Sequence, residues 1–231
     1  MKVARLHRWD VDYPEAVALQ ERLAGQVVQG PPLAHARIVA AADVSGGRVG
    51  EWIAAAVVVM DIETLDVLEV RRVARRATWP YVPGALSFRE APAVLAAFRQ
   101  VRSAPDVVLC DGQGRAHPRR FGLASHVGLA LGVPTIGCAK SLLVGEPAGP
   151  LGLARGSRTP LVDGGEPIGA VLRTRSGVMP VYVSVGHRID LASAERWVLA
   201  AAVRYRLPEP SRLAHQEVTA YKREWAWRGC R

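Results

Sequence analysis

The order of strand-like and helix-like segments is the feature that most constrains the fold of this chain. Three apolar segments rich in small and β-branched residues come first, at 37–44, 52–62 and 65–73. Closely spaced runs of this kind predict an antiparallel meander. Helical periodicity then alternates with short buried strands. These later segments are a helix over 89–101, a strand over 106–110, a helix over 121–131 and a strand over 134–138.

A meander continued by strand–helix–strand units predicts an α/β fold with a mixed sheet. The sheet is expected to be antiparallel in its first part and parallel in its second, with helices on its faces. This is the order of an RNase H-like fold, although other α/β folds begin in the same way. The remaining predicted elements are a helix over 12–29, a hairpin of 168–175 with 181–185, and closing helices over 192–205 and 212–225. Because no repeat or long linker interrupts the chain, we expect 1–231 to be a single domain.

Charge and hydropathy narrow the class of protein. The net charge is +9 and the sequence pI is about 10.2. An excess of basic residues favours a polyanionic partner, because each cation near a phosphate releases counterions. No apolar run reaches the roughly 18 residues of a membrane span, and the start of the chain lacks the apolar segment of a signal peptide. We therefore expect a cytoplasmic protein with no membrane partner.

Cysteine usage points to reduced thiols. Cys110 and Cys138 each lie beside an apolar run, and Cys230 is next to last in the chain. An odd number of cysteines without CxxC spacing argues against a disulfide framework or a zinc site. We expect these thiols to be reduced and mostly buried.

Three acidic residues occupy positions that suggest chemistry. Asp43 ends the first predicted strand, Asp111 ends the fourth, and Glu90 lies near the start of the helix between them. If the first and fourth strands are neighbours, their ends bring Asp43 and Asp111 together, where ligand sites of open α/β sheets lie. Clustered carboxylates repel one another, and Mg²⁺ offsets that repulsion while keeping water ligands. The acids therefore predict a metal site suited to phosphodiester cleavage.

Each acid also has a purely structural interpretation. An aspartate between an apolar strand and a glycine is often only a turn residue. The segment 87–90 (SFRE) fits a capping box, in which Glu90 would accept a hydrogen bond from the first amide of its helix. The sequence alone leaves both interpretations open.

Several motifs, in order along the chain, resemble the signatures of the endonuclease V family. They are 78–84 (TWPYVPG), 86–90 (LSFRE), 111–114 (DGQG), 116–119 (AHPR), 122–126 (GLASH), 133–141 (VPTIGCAKS), 182–187 (YVSVGH) and His215. The resemblance runs from about Tyr13 to Lys222, and no expected functional position departs from it.

The resemblance implies an RNase H-like catalytic domain that acts in DNA repair. Its substrate would be DNA containing deoxyinosine, the product of adenine deamination, cut at the second phosphodiester 3′ to the lesion. The products would carry 3′-hydroxyl and 5′-phosphate ends. Asp43 and Asp111 would hold Mg²⁺, for which Mn²⁺ can substitute, and Glu90 would complete the acidic set. His215 would lie beside the metal, and Lys140 would approach the scissile phosphate.

The resemblance also implies how DNA is held. Tyr81 would lie on a wedge that separates the bases, and glycine-rich turns would line a hypoxanthine pocket. The prolines of segment 80–83 stiffen it, as insertion between base steps requires. The same segment is also typical of an ordinary surface loop. His126 falls on an apolar helix and is expected to be a core histidine. The residues predicted to contact DNA are Pro80, Tyr81, Val82, Pro83, Gly84, Leu86, Gly112, His117, Gly137 and Lys140.

Three other functions remain as alternatives at this point. The first is another nuclease with the same core, such as a ribonuclease that cuts inosine-containing RNA or a structure-specific nuclease. The second is a non-catalytic nucleic-acid binding module, which the three acids disfavour because unpaired carboxylates repel phosphate. The third is a nucleotide hydrolase, for which the chain has no GxxxxGK[ST] loop. We expect a monomer.

Overall fold

The computed structural model describes residues 1–228 and contains one sheet of nine strands. The strands are β1 (Ile38–Ser45), β2 (Trp52–Asp61), β3 (Val67–Arg76), β4 (Val107–Cys110), β5 (Thr135–Ala139), β6 (Glu146–Pro147), β7 (Arg158–Asp163), β8 (Glu166–Leu172) and β9 (Val181–His187). The helices are α1 (Tyr13–Ala24), α2 (Leu86–Gln100), α3 (Leu123–Leu131), α4 (Leu191–Ala201) and α5 (Glu209–Arg228). The order across the sheet is β3-β2-β1-β4-β5-β9-β8-β7-β6.

Strand pairing is mixed, as predicted. Strands β1, β2 and β3 form the antiparallel meander, while β1, β4 and β5 run parallel to one another. The hairpin of β8 and β9 then joins antiparallel to the free edge of β5. Because the carboxyl ends of β1, β4 and β5 point the same way, residues that follow these strands meet at one edge of the sheet.

Helices cover both faces of the central strands. Ala40 and Ala42 of β1 pack with α2 and α3 on one face, and Val39 and Ala41 pack with α4 and α5 on the other. Burial on both sides explains why the central strands read as unbroken apolar runs. The core is rich in alanine on β1 and β2, which lets helices approach closely.

Helix α1 is shorter than the sequence predicts. A capping box of Asp12 and Glu15 begins it, and it ends at Ala24 instead of continuing to 29. The following residues pair elsewhere: the Gly30 amide donates to the Ile189 carbonyl, and the Val28 amide donates to His187 Nδ1. Pairing with the end of β9 replaces further helical hydrogen bonds.

Other sequence predictions have clear outcomes. Strands β6 and β7 extend the sheet through a stretch that no predicted element covered. Cys110 and Cys138 are buried free thiols, and Cys230 lies outside the described residues. Within residues 1–228, no helix is long and apolar enough to cross a membrane.

Candidate active site at the strand ends

Asp43 and Asp111 lie side by side at the carboxyl end of the β1–β4 ladder, where Asp43 is still inside β1, two residues before its end, and Asp111 follows β4. Ala42 and Cys110 are paired in the parallel ladder, and the Asp111 amide donates to the Ala42 carbonyl at 3.2 Å. The next residues are therefore separated by about one strand spacing, roughly 4.8 Å. Asp43 is buried, with 7% of its surface exposed. The fold therefore places two carboxyl groups side by side where water has limited access.

Glu90 faces this pair from α2 and does not cap the helix. The N-cap is Ala85, which offers no side-chain hydrogen bond, so Ser87 lies inside the helix and the capping box is absent. Burial, followed by the charges of Asp43 and Asp111, raises the pKa of Glu90 to about 8. A cap exposed to water would show no such shift. The electrostatic coupling shows that the three acids form one cluster.

Two basic side chains contact the acids. His215 of α5 donates from Nδ1 to Asp43 Oδ2 at 2.7 Å, and the Lys140 ammonium donates to Asp111 Oδ2. Burial and the charge of Asp111 raise the pKa of Asp43, while the hydrogen bond from His215 opposes that rise. All the residues that the sequence predicts to be catalytic therefore meet at one edge, from positions far apart in the chain.

The chemistry of the donors fits a divalent cation in part. Burial and the charge of Asp111 raise the pKa of Asp43, and a bound Mg²⁺, which accepts one or two carboxylates and keeps its waters, would favour the ionised form. The carboxylates of Asp43 and Asp111 are the pair placed to hold it. Over residues 1–228, no group of three or more His, Cys, Asp or Glu side chains is arranged to hold a metal ion. Asp43, Glu90 and Asp111 therefore do not form a ready-made set of three metal ligands.

A cavity opens directly beside the acids. Asp111 and Lys140 form part of its wall, and Tyr81 stands at the wall with 70% of its surface exposed. Other residues that the sequence predicts to contact DNA also line it, namely Pro83, Gly84, Leu86, Gly112 and His117. The adjacency of an open, largely apolar cavity and an acidic cluster suits a ligand with an aromatic base and a phosphate.

Three residues of the predicted DNA-contact set lie elsewhere. Pro80 lines a separate groove with Tyr13 of α1, and Val82 packs against a small core cluster around Phe88. Gly137 is inside β5, where a Cβ would lie 2.4 Å from the Gly114 amide nitrogen. Its observed role is to let β5 approach the turn after β4.

Two residues that the sequence analysis did not single out hold the loop of Tyr81 in place. The Gly84 carbonyl accepts hydrogen bonds from the Arg119 guanidinium and from His117 Nε2, the latter at 3.0 Å. Arg119 Nε donates to Oε1 of the fully buried Gln20 at 2.7 Å. The sequence signal that could have identified Gln20 is a glutamine on the inward face of α1. The contacts connect α1 to the base of the loop.

His117 is held as a neutral side chain in this network. Its Nδ1 accepts from the Arg119 amide at 3.2 Å, which leaves the proton on Nε2 for the bond to Gly84. Burial, followed by the charge of Arg119, lowers the pKa of His117 to about 4. The buried His126, bonded to Ser87 Oγ and to His7, behaves similarly, since burial lowers its pKa well below the ordinary value.

We expect the contribution of His117 to stability to be lost between pH 6.5 and about pH 4. In that window the unfolded chain binds a proton that the buried imidazole of His117 does not, so this contribution to the free energy of unfolding falls as pH falls. The contribution of His117 is on the order of 3 kcal/mol. Urea unfolding at pH 7 and pH 4.5 measures the loss, and His117→Gln, which can still donate to Gly84, should lose less. Equal losses in the two proteins would refute this assignment.

The fold and the cluster together define a class of protein. A five-stranded core in the order β3-β2-β1-β4-β5, flanked by helices, with acids where β1 and β4 end, belongs to the RNase H-like nucleases. Comparisons with known proteins agree and are more specific. The sequence model of the endonuclease V family matches residues 21–216. The chain belongs to the endonuclease V family and is a nuclease.

Individual relatives extend over nearly the whole chain. Endonuclease V of Rhodospirillum centenum is 51% identical over 216 residues, which cover 93% of this chain and 90% of that protein. The crystal structure of endonuclease V from Streptomyces avermitilis is 42% identical, with a TM-score of 0.89 over 94% of this chain and 96% of that one. Endonuclease V of Ciona intestinalis, solved with a 24mer DNA containing an inosine, is 23% identical, with a TM-score of 0.81 over 91% and 98% of the two chains.

Proposed function

We propose that this protein is a DNA repair endonuclease of the cytoplasm that recognises deoxyinosine. It hydrolyses the second phosphodiester 3′ to that nucleotide and leaves 3′-hydroxyl and 5′-phosphate ends. The observation that carries the proposal is the cavity beside Tyr81, which shares Asp111 and Lys140 with the acidic cluster. Family membership and the inosine-containing DNA bound by the Ciona enzyme support the choice of lesion.

The acids and their basic neighbours have different roles in cleavage. Asp43 and Asp111 would hold Mg²⁺ or Mn²⁺, which activates water and stabilises the charge of the departing oxygen. His215 fixes the orientation of Asp43 through its 2.7 Å hydrogen bond. Lys140 is paired with Asp111 in the absence of substrate, and its ammonium can pair with the scissile phosphate when one arrives. Burial and the neighbouring acids disfavour the ionised form of Glu90, and a bound cation would favour it.

The cavity suits a base that has left the duplex stack. Enzymes that read a single base commonly rotate it into such a pocket and contact its edge. Gly112 lines the wall at φ 151°, a backbone conformation that residues with side chains rarely adopt, and its backbone forms the wall there without a side chain. Hypoxanthine offers a ring NH and a carbonyl that main-chain groups can read. Tyr81 would fill the gap that the base leaves.

A nicking assay tests the proposal directly. The substrate is an end-labelled duplex with one deoxyinosine, compared with the same duplex carrying deoxyadenosine, in Mg²⁺ or in EDTA, at single-nucleotide resolution. We expect one nick, at the second phosphodiester 3′ to deoxyinosine, in Mg²⁺ only. Cleavage that is equal in both duplexes, or absent from both, would exclude this function. A parallel strand with inosine in RNA measures whether the activity extends to that substrate.

Replacement of Tyr81 by Ala should weaken binding to the deoxyinosine duplex by roughly ten- to a hundred-fold. The lost stacking is worth about 1–3 kcal/mol. A single-stranded deoxyinosine substrate should lose less, because it has no partner strand to hold apart. Tyr81→Phe keeps the ring and should bind nearly as wild type. Equal weakening for damaged and undamaged duplexes, measured at one salt concentration, would show that Tyr81 is a general contact rather than a wedge.

A further inference from the structure

The connection between α4 and α5 lies at the same edge of the sheet as the acids. Strand β9 runs antiparallel to β5, and Tyr182 near its start pairs with Ala139 at the end of β5. Residues just before β9 therefore lie beside Lys140. The Arg206 guanidinium joins the connection to this edge, since it donates to the Lys140 carbonyl at 2.6 Å and to the Pro180 carbonyl at 2.7 Å.

The arginines of this connection carry charge that the protein does not neutralise. Across the part of the chain that the structure describes, neither Arg204 nor Arg206 has a carboxylate within ion-pair distance. The Arg206 guanidinium donates hydrogen bonds only to these two carbonyl oxygens, and its buried Nε has no hydrogen-bond partner among the described residues. By contrast, Arg115 and Arg120 after β4 share Glu166. Uncompensated cations beside the acidic cluster leave a surface suited to an anion.

An exposed aromatic residue lies between the two arginines in the sequence. Tyr205 is 48% exposed, and the Arg212 guanidinium lies over its ring at 4.7 Å from the centroid. Glu209 anchors Arg212 at 2.8 Å. Arg212 precedes His215 by one helical turn, so the Tyr205–Arg212 pair neighbours the His215–Asp43 contact. Exposed aromatics among arginines are the composition of single-strand binding surfaces, where bases stack and phosphates meet cations.

We propose that Arg204, Tyr205, Arg206 and Arg212, here called the α4–α5 surface, bind an unpaired part of the cleaved strand beyond the scissile phosphate. The inference rests on the proposed function, because it gives that substrate a second contact. Strand β9 is two positions from β4 in the sheet, about 10 Å from Asp111. At the roughly 3.4 Å rise of a stacked strand that distance is about three nucleotides, and an extended unpaired strand covers it with fewer. Contacts of this kind follow charge and stacking and do not depend on base sequence.

The test is binding of fluorescent single-stranded deoxyinosine oligonucleotides in EDTA over a salt series. Arg204→Gln should lower the slope of log affinity against log salt by about 0.7, the value for one phosphate contact on a single strand. Tyr205→Ala should weaken binding about ten-fold with little change of slope, and Tyr205→Phe should restore it. The matched control is Arg99→Gln, an exposed arginine in the last turn of α2, away from the end that lines the cavity.

Shortening the oligonucleotide locates the contact. When nucleotides are removed from the 3′ end, the difference between wild type and Tyr205→Ala should disappear once fewer than about three remain beyond the scissile phosphodiester. Removal from the 5′ end should leave the difference unchanged. If Arg204→Gln and Tyr205→Ala both bind like Arg99→Gln, or if their losses persist at every length, the α4–α5 surface is not a strand contact. Failure of the proposed function has a different signature, in which wild type does not distinguish deoxyinosine from deoxyadenosine.

Discussion

Replacement of Asp43 or Asp111 by Ala is expected to reduce nicking of deoxyinosine DNA by on the order of a thousand-fold or more. Each variant removes one of two carboxylates placed to hold the cation, whose stabilisation of the transition state is worth several kcal/mol. Melting temperature should hardly change, because each substitution also removes repulsion within the cluster. Binding to deoxyinosine DNA should persist, since phosphate and base contacts position the strand.

The measurement is nicking in Mg²⁺ beside a thermal melt and an affinity determination in EDTA. Asp66→Ala is the matched control, because Asp66 is exposed in the turn between β2 and β3, at the opposite edge of the sheet. It should nick as wild type does. A folded Asp43 or Asp111 variant that retains Mg²⁺-dependent nicking near the wild-type rate would rule out the assignment of these acids as metal ligands.

The second large effect is expected from Glu90→Gln. Its nicking rate should fall by orders of magnitude, whereas the metal-free variant should be more stable than wild type at alkaline pH. Glu90 has a folded pKa of about 8, raised above its ordinary value by burial and by Asp43 and Asp111. The contribution of Glu90 to the free energy of unfolding therefore falls as pH rises from about 4.5 towards 8, because the unfolded carboxyl ionises in that range while the folded one stays protonated. A glutamine does not ionise, so it avoids that loss.

Urea unfolding in EDTA at pH 5 and pH 8.5 measures the stability difference, and nicking in Mg²⁺ at pH 8.5 measures the rate. We expect Glu90→Gln to be more stable than wild type at pH 8.5 by an amount not exceeding a few kcal/mol, with little difference at pH 5. Loss of stability without loss of rate would indicate that Glu90 serves the fold alone. Loss of rate with a gain in stability would indicate that its charge serves catalysis.

The sequence by itself determined the order of the core elements and the positions of the acids. Unbroken apolar runs mark β1, β2 and β4 because helices cover both faces of the sheet there. An aspartate that closes such a run lies near the carboxyl end of its strand, as Asp43 does inside β1 and Asp111 does just after β4. Alignment of two parallel strands then brings Asp43 and Asp111 together, so this pairing follows from local patterns and one topological rule. The roles of the other predicted site residues came from the resemblance to the family motifs.

Only the tertiary structure decided between the interpretations that the sequence left open. Glu90 fits a capping box in the sequence, yet its pKa depends on Asp43 and Asp111, which lie far from it along the chain. Helix α1 ends early because residues 28–30 pair with the end of β9. The contact between Arg206 and the Lys140 carbonyl likewise joins distant segments. Local patterns specify which element each residue forms, whereas electrostatic environment and partner choice depend on long-range packing that no short stretch of sequence encodes.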